Sequence, residues 1–209
     1  MKAFKHIDRR YAADFALGRK IKIGSLGYYR KMEGDRADPL DASSRVDLDS
    51  LNSSSIGMDR YSDIERERLK KFGFEIDFDQ IKFGSIFSGN SVIYRAPDVY
   101  VFCCSLSPDP SRRKKGEEIF CISDVEKFAE KISEVLPNSI ASRQVRRVRY
   151  REIETNLLQT PVVPNEFIKG RSWQWEDELR MAWKVRDGEE IEEYVFVDCL
   201  DVRKYISIV

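Results

Sequence analysis

The stretch Val99-Tyr100-Val101-Phe102-Cys103-Cys104 decides how the rest of the chain can be arranged. Asp98 precedes this apolar run, and Ser105 follows it. A short, continuous apolar run rich in β-branched and aromatic residues is typical of a strand buried on both faces. We therefore predict that this segment is a central strand of a sheet.

The surrounding segments predict further strands and a few helices. Short apolar or alternating runs indicate strands at 20–23, 118–122, 145–150, 178–185 and 193–200. Spacings of three and four predict a helix over 7–17 and another over 123–137, where Ser123 and Glu126 form a capping box. Because strands dominate the second half, we predict an α+β fold around a largely antiparallel sheet.

Length and composition predict one domain over residues 1–209. The chain has 209 residues, of which 42% are hydrophobic, so it can form one core. Residues 32–58 are polar and rich in turn formers, which predicts a polar loop insertion there. After it, we predict a helix over 61–72 and a hairpin that joins 81–83 to 92–94.

Charge is balanced in total but unevenly distributed. The 36 Lys and Arg residues equal the 36 Asp and Glu residues, which excludes ligand binding by bulk charge alone. Residues 1–31 nevertheless contain nine basic and two acidic side chains, and five arginines lie within 143–151. Such basic surfaces could gather phosphate groups, whereas a mosaic of surface ion pairs is the alternative.

The cysteines and the N-terminus predict the compartment. The four cysteines lie in strand-like runs without a Cys-x-x-Cys spacing, and there is one histidine, so we expect reduced thiols and no metal site. Neither a signal peptide nor a membrane-spanning segment is recognisable, so we expect a cytoplasmic protein.

Residues 169–180 are the most unusual segment, because two Trp and three acids occupy positions 173–178. If this segment is extended, Glu176 and Glu178 project to the same face. A fixed carboxylate pair beside aromatic rings suits general base catalysis, or binding of a ribose hydroxyl next to a developing oxocarbenium ion. The alternatives are a solvated acidic turn and tryptophans that only pack against the core.

Two earlier features fit the same chemistry. Ser105 and Ser107 follow the predicted central strand, and Tyr29-Arg30 follows the strand at 20–23. An arginine can bind a pyrophosphate through two parallel hydrogen bonds. Individually, the arginine could be a surface charge and the serines could simply end a strand.

Together these residues resemble the arginine–serine–glutamate version of the ADP-ribosyltransferase superfamily. The layout is similar to DarT-type toxins and to a related group of uncharacterised bacterial proteins. The counterparts of that group's motifs are Lys5-His6, Asp38-Pro39 and Trp173-x-x-Glu176-x-Glu178-x-Arg180.

The resemblance implies a fold, a substrate and a set of site residues. The fold would be a split, mostly antiparallel sheet with flanking helices, and the substrate would be NAD. Glu178 would be the catalytic acid and Glu176 its partner toward the acceptor. The NAD-binding residues would be Arg30 with Tyr29 at the phosphates, Ser105 and Ser107 at the nicotinamide ribose and amide, and His6 near the adenosine or nicotinamide.

The expected function is transfer of ADP-ribose from NAD to a nucleic acid or a protein. By analogy with the family, the role would be that of a bacterial toxin or phage-defence effector, with an antitoxin or another protein as partner and no membrane. Two alternatives stay open. One is a non-catalytic module that binds nucleic acid or protein through the arginine-rich strand and the Trp pair, and the other is hydrolysis of NAD by water.

Overall fold

The structure is a computed structural model that describes residues 1–31, 41–47, 91–109, 116–137, 140–156 and 165–209. These residues form an α+β fold with a mostly antiparallel, open sheet, as predicted. The strands are β1 (Ala3–Asp8), β2 (Ile21–Ser25), β3 (Ser43–Asp47), β4 (Ser91–Arg95), β5 (Tyr100–Ser105), β6 (Glu117–Ile122), β7 (Ile140–Arg147), β8 (Arg149–Arg151), β9 (Glu154–Asn156), β10 (Ile168–Gly170), β11 (Glu178–Val185), β12 (Tyr194–Val197) and β13 (Ile206–Ile208). The helices are α1 (Arg9–Ala16), α2 (Leu26–Lys31) and α3 (Val125–Val135), with 3-10 helices at Arg171–Glu176 and Leu200–Tyr205.

Strand β5 lies at the centre of the main sheet, as its apolar sequence predicts. The order is β12-β2-β5-β1-β6-β13, and β11 pairs with β5 on its other side and with β7 beyond. β11 pairs with β5 from Tyr100 to Ser105, so β2 and β1 share the opposite side of β5. β2 occupies the Tyr100 end and β1 the Ser105 end. The sheet therefore splits along β5.

Lys5 of β1 bridges this split. Its ammonium donates to the backbone carbonyl of Cys103 at 2.6 Å, between the two stretches of β5 that pair with β2 and β1. A buried carbonyl without a partner is costly, so this side chain replaces a ladder hydrogen bond. The same ammonium lies 4.6 Å from the centre of the Phe102 ring.

One face of the sheet, the helix-covered face, packs against α1 and α3. Alternate residues of β5 and β11 contribute Tyr100, Phe102, Cys104, Leu179, Met181 and Trp183. Phe15 of α1 stacks on Phe102 at 6.3 Å, and Phe128 of α3 lies 5.5 Å from the same ring. The indole Nε1 of buried Trp183 donates to Ser133 Oγ at 2.8 Å, which satisfies its one polar group.

The opposite face, here called the charged face, carries the other residues of the same strands. Val101 and Cys103 of β5 pack there with Leu26 of α2. Glu178 and Arg180 of β11 project to this side as well, because they alternate with the residues of the helix-covered face. Two small sheets, β10-β8 and β4-β3-β9, complete the described part of the fold.

Both helices predicted in the described ranges are present, but each begins two residues later than predicted. α3 is capped by Asp124, whose carboxylate accepts from Lys127 N, and not by Ser123 as the capping-box pattern suggested. The predicted helix at 7–17 begins only at Arg9, because Ala3–Asp8 pairs with β6 as strand β1. Asp8 then caps α1 by accepting from Arg10 N.

The predicted polar loop at 32–58 contains a strand. Ser43–Asp47 forms β3, which pairs with β4 and β9, so that part of the loop prediction was wrong. Its composition was misleading because backbone hydrogen bonds to two neighbours hold the strand. The other residues of 32–58 except Asp41 and Ala42, the predicted helix at 61–72 and the hairpin strand at 81–83 lie outside the described residues.

Candidate functional site

The two glutamates of the Glu-x-Glu motif meet at a turn and not along a strand. The 3-10 helix ends at Glu176, Asp177 adopts a left-handed conformation (φ 43°, ψ 55°), and Glu178 begins β11. The expectation of an extended segment was therefore wrong for Glu176. The carboxylates still converge, because Lys169 Nζ lies 2.6 Å from Glu176 Oε2 and 3.3 Å from Glu178 Oε2.

Glu178 belongs to a buried network of alternating charges. Arg180 Nε donates to Glu178 Oε1 at 2.8 Å, and the same guanidinium contacts the carboxylate of Asp41 at 3.1–3.2 Å. Arg180 is fully buried and Glu178 is 5% exposed. Both carboxylate oxygens of Glu178 are thus engaged, one by Arg180 and the other by Lys169.

This pairing keeps the buried groups charged. Burial alone raises the pKa of Glu178, but the charges of Arg180 and Lys169 outweigh burial and hold that pKa well below its usual range. Burial lowers the pKa of Lys169, and the carboxylates of Glu178, Asp41 and Glu176 outweigh it and raise that pKa. Burial also lowers the pKa of Arg180, but the carboxylates of Asp41 and Glu178 outweigh this effect and raise it.

Glu176 is the group of this site that titrates near neutral pH. Burial and repulsion from Glu178 raise the pKa of Glu176 to about 7, although Lys169 opposes the shift. Lys169 and Arg180 already balance Asp41 and Glu178, so a charge on Glu176 is in excess. Its side chain is 24% exposed, so a ligand can reach this carboxyl.

The Ser-x-Ser segment is tied directly to this turn. Ser105 lies opposite Glu178 in the pairing of β5 with β11. Its hydroxyl donates to the backbone carbonyl of Glu176 at 3.1 Å and accepts from Ser107 N at 3.1 Å. Ser107 in turn accepts from Asp109 N at 3.2 Å, as in a local Ser turn. Ser105 thus adjoins the glutamates, whereas the contacts of Ser107 lie within the next loop.

Tyr29 and Arg30 belong to α2, which directly follows β2. Burial raises the pKa of Tyr29 well above its usual value, with smaller contributions from Cys103 and Glu178, and Tyr29 packs against the apolar residues of the charged face. Its ring packs so closely on Gly24 that a Cβ there would lie 2.7 Å from the ring. Arg30 Nε donates to Asp41 O at 2.7 Å, and burial lowers the pKa of Arg30. Arg30 is therefore connected to the charged network through the backbone of Asp41.

His6 lies on β1, with Nδ1 3.7 Å from Glu117 Oε2 of β6. It alternates with Lys5 and Ile7, and Ile7 packs against the helix-covered core, so His6 projects to the charged face. Phe4, two residues earlier and on the same face, is paired with Ser105. His6 is therefore next to the serine end of the site, and it also contacts Glu117 of β6.

The sequence analysis gave no role in the site to three charged residues of the network: Asp41, Lys169 and Arg180. A signal for Arg180 existed, because it lies two residues after Glu178 and projects to the same face of a strand. Lys169 was within the unusual segment, but only the turn at Asp177 brings it to both glutamates. Asp41 had no local signal, because it comes from the segment that was predicted to be a polar loop.

The tryptophans form a wall next to the glutamates. The ring of Trp173 lies 4.7 Å from Lys169 Nζ and 6.2 Å from the ring of Trp175, which is 57% exposed. An exposed indole beside a titratable carboxyl can stack on a planar group while the carboxyl accepts a proton. The site can therefore combine ring stacking, one mobile proton and a fixed set of buried charges.

The described residues contain no candidate metal site, and comparison with known proteins gives no match. Among the described residues, no group of three or more His, Cys, Asp or Glu side chains could hold a metal ion, and no helix is long and apolar enough to cross a membrane. No family model, curated protein or solved structure matches the chain.

Proposed function

We propose that this protein transfers ADP-ribose from NAD to a nucleophile on a macromolecular acceptor, a nucleic acid or a protein. The observation that carries the proposal is the turn that holds Glu176 and Glu178 against Ser105, beside the split in the sheet. Tyr29 and Arg30 reach the same charged face from α2. What supports the proposal is that Arg30, Ser105 and the two glutamates lie in or next to the charged network, whereas the contacts of Ser107 lie within the next loop.

In this proposal the two glutamates have different roles. Glu178 is the fixed negative charge that stabilises the oxocarbenium-like ribose as the bond to nicotinamide breaks. Lys169 lies 3.3 Å from Glu178 Oε2 and 2.6 Å from Glu176 Oε2, so a ribose hydroxyl would replace the longer of these contacts. The electron pair of the broken C–N bond leaves with nicotinamide.

Glu176 is the proton acceptor for the incoming nucleophile. A group with a pKa of about 7 is half ionised at neutral pH and transfers a proton efficiently. As the acceptor atom bonds to the ribose carbon, its proton passes to the carboxylate of Glu176. Arg30 anchors the diphosphate: its two recorded hydrogen bonds use two of the five N–H groups of the guanidinium.

The test compares purified wild-type protein with Glu176→Gln, because Gln keeps the shape of Glu but cannot accept the proton. Each is incubated with NAD labelled in its adenine ring and with cell lysate, and both free nicotinamide and label on macromolecules are followed. We expect nicotinamide release to fall by about 100-fold or more in the variant. Glu189→Gln, an exposed acid elsewhere in the chain, is the matched control and should behave as wild type.

Three outcomes separate the candidate functions. Label on nucleic acid or protein supports transfer, and digestion of the product with nuclease or protease identifies the acceptor. Nicotinamide release without any labelled macromolecule supports hydrolysis of NAD and contradicts transfer. If wild type releases no more nicotinamide than Glu176→Gln, the enzymatic proposal is wrong.

A role as a toxin or defence effector follows only if the activity harms the cell. We expect expression of the wild-type chain to arrest bacterial growth and Glu176→Gln to relieve that arrest. Growth arrest that persists in the variant would contradict a toxic role for this site.

A further inference from the structure

A cavity lined by arginines lies near the charged network, to which it is connected through Glu166. It has a volume of about 510 Å³, and Arg146, Arg147 and Arg149 form much of its wall. The first two end β7 and the third begins β8, so a short, bent strand connection presents all three. A cavity of this size accommodates a group as large as a nucleotide.

The three arginines have no acidic partner among the residues that the structure describes. None of the ion pairs found there includes them, and all three side chains are exposed. Other exposed arginines of the chain do pair, as Arg9 does with Glu118 at 2.6 Å. Glu166 is the one carboxylate that lines the cavity, so positive charge remains in excess.

The part of the wall formed by Glu166 and Phe167 is held by several contacts. Phe167 is buried, and the guanidinium carbon of Arg146 lies 5.7 Å from the centre of its ring. Arg149 N donates to Phe167 O at 2.8 Å, and buried Arg180 donates to Glu166 O at 2.6 Å. The cavity wall is therefore fixed to the charged network, and binding would cost little ordering of the backbone.

The remaining lining groups suit a ligand that is polar as well as anionic. The amides of Gln144 and Asn165 reach the cavity and can both donate and accept hydrogen bonds. Guanidinium groups match the geometry of phosphate oxygens and bind them through paired hydrogen bonds. This lining suits a phosphate ligand better than it would suit a carboxylate side chain of the protein itself. It combines arginines without an acidic partner among the described residues, amides and a fixed wall.

We infer that this arginine-lined cavity binds the phosphate groups of a nucleotide or of a nucleic-acid strand. The inference rests on the geometry of β7, β8 and β10 and does not depend on chemistry at Glu176. A nucleotide and a nucleic-acid strand would both present phosphate oxygens to Arg147 and Arg149. They differ in the number of further contacts that each would make around the cavity.

The test measures binding to the full chain without NAD. One arm titrates a fluorescent single-stranded oligonucleotide by anisotropy at several salt concentrations, and the other titrates ATP and inorganic pyrophosphate by calorimetry. The variant is Arg147→Gln/Arg149→Gln, and the matched control is Arg186→Gln/Arg203→Gln, which removes two exposed arginines elsewhere. Circular dichroism verifies that both variants are folded.

For a nucleic-acid strand, we expect the cavity variant to bind at least about tenfold more weakly. The slope of log K against log salt should also become shallower by about 1.4, since each lost contact to a single strand removes about 0.7. The control should change neither value appreciably. ATP and pyrophosphate could instead bind while the oligonucleotide does not, and the cavity variant could lose that binding. This result would assign the site to a free nucleotide and would support the inference equally.

Two results would overturn the inference. One is absence of binding in both arms. The other is an equal loss of affinity in the cavity variant and in the matched control, which would mean that only overall charge matters. Because the test contains no NAD and follows binding alone, failure of this site is distinguishable from failure of the proposed transferase.

Discussion

The two faces of the central sheet bury side chains of the same two strands by different means. On the helix-covered face, Phe102 and Trp183 pack against α1 and α3, and the indole N–H of Trp183 donates to Ser133 Oγ. On the charged face, Glu178 and Arg180 are buried just as deeply, but each is held by opposite charges. The difference lies in the free energy of burial. Burying apolar groups lowers the free energy of the folded state, whereas burying charged groups raises it.

Net stabilisation alone does not account for the buried charges of the charged face. Replacing a buried ion pair by apolar residues is often neutral or stabilising, whereas removing one partner is strongly destabilising. The helix-covered face shows that this fold can cover β5 and β11 with apolar side chains. The charged face instead holds charges in fixed positions. Two of them, on Lys169 and Glu178, shift the pKa of Glu176 at the rim of this face.

The largest effect should come from breaking the charged network. Arg180→Met leaves Glu178 and Asp41 buried without their shared cation, so we expect the free energy of unfolding to fall by about 3–5 kcal/mol. Urea denaturation measures this loss. A loss smaller than about 1 kcal/mol would contradict the view that Arg180 compensates two buried carboxylates.

An intermediate effect should appear as a dependence on pH. Because the pKa of Glu176 is raised to about 7 in the folded protein, the native state binds a proton that the unfolded state has released above about pH 4.5. The free energy of unfolding should therefore decrease as pH rises from 4.5 toward 7, and Glu176→Gln should remove a decrease of about 1–3 kcal/mol.

Glu178 acts in a different pH range, so the two glutamates can be separated. Its lowered pKa contributes stability above the ordinary pKa of a glutamate, and that contribution is lost only as pH falls further. Stability curves for wild type and Glu176→Gln that stay parallel from pH 5 to pH 8 would contradict the assignment of Glu176 as the titrating group.

A smaller effect is expected on the helix-covered face. Ile132 of α3 is fully buried, and Ile132→Val removes one methylene, so we expect a loss of about 1 kcal/mol in the free energy of unfolding. Unlike the change at Glu176, this loss should be the same at pH 5 and pH 8, which denaturation at the two pH values measures. A loss that varied with pH would mean that the two faces are not energetically independent.

The smallest effect should come from an exposed ion pair. Lys131 contacts Glu134 at 2.8 Å on the outer side of α3. Solvent screens such pairs, so Glu134→Gln should leave the urea midpoint unchanged within error. A clear shift in the midpoint would show that charge pairs stabilise this protein even without burial.

The sequence predicted the central features of the fold correctly because they depend on local pattern. The apolar run at 99–104 indicated the central strand, and the spacing of apolar residues in 123–137 indicated α3. Local pattern indicated neither β1, whose last two residues were predicted to be helical, nor β3 within a polar segment, since both strands depend on partners distant in sequence. It also placed Glu176 in an extended segment, because nothing local revealed the left-handed conformation of Asp177.

What the sequence by itself determined is which residue types are available and in what order: a tyrosine-arginine pair, two serines, two glutamates and an arginine-rich strand. What only the tertiary structure decided is which of them share a charge environment. Asp41, 139 residues away from Arg180 in sequence, compensates that arginine, and this leaves Glu176 with the excess charge. Electrostatic energy depends on distance in space and on burial, and neither can be read from separation along the chain.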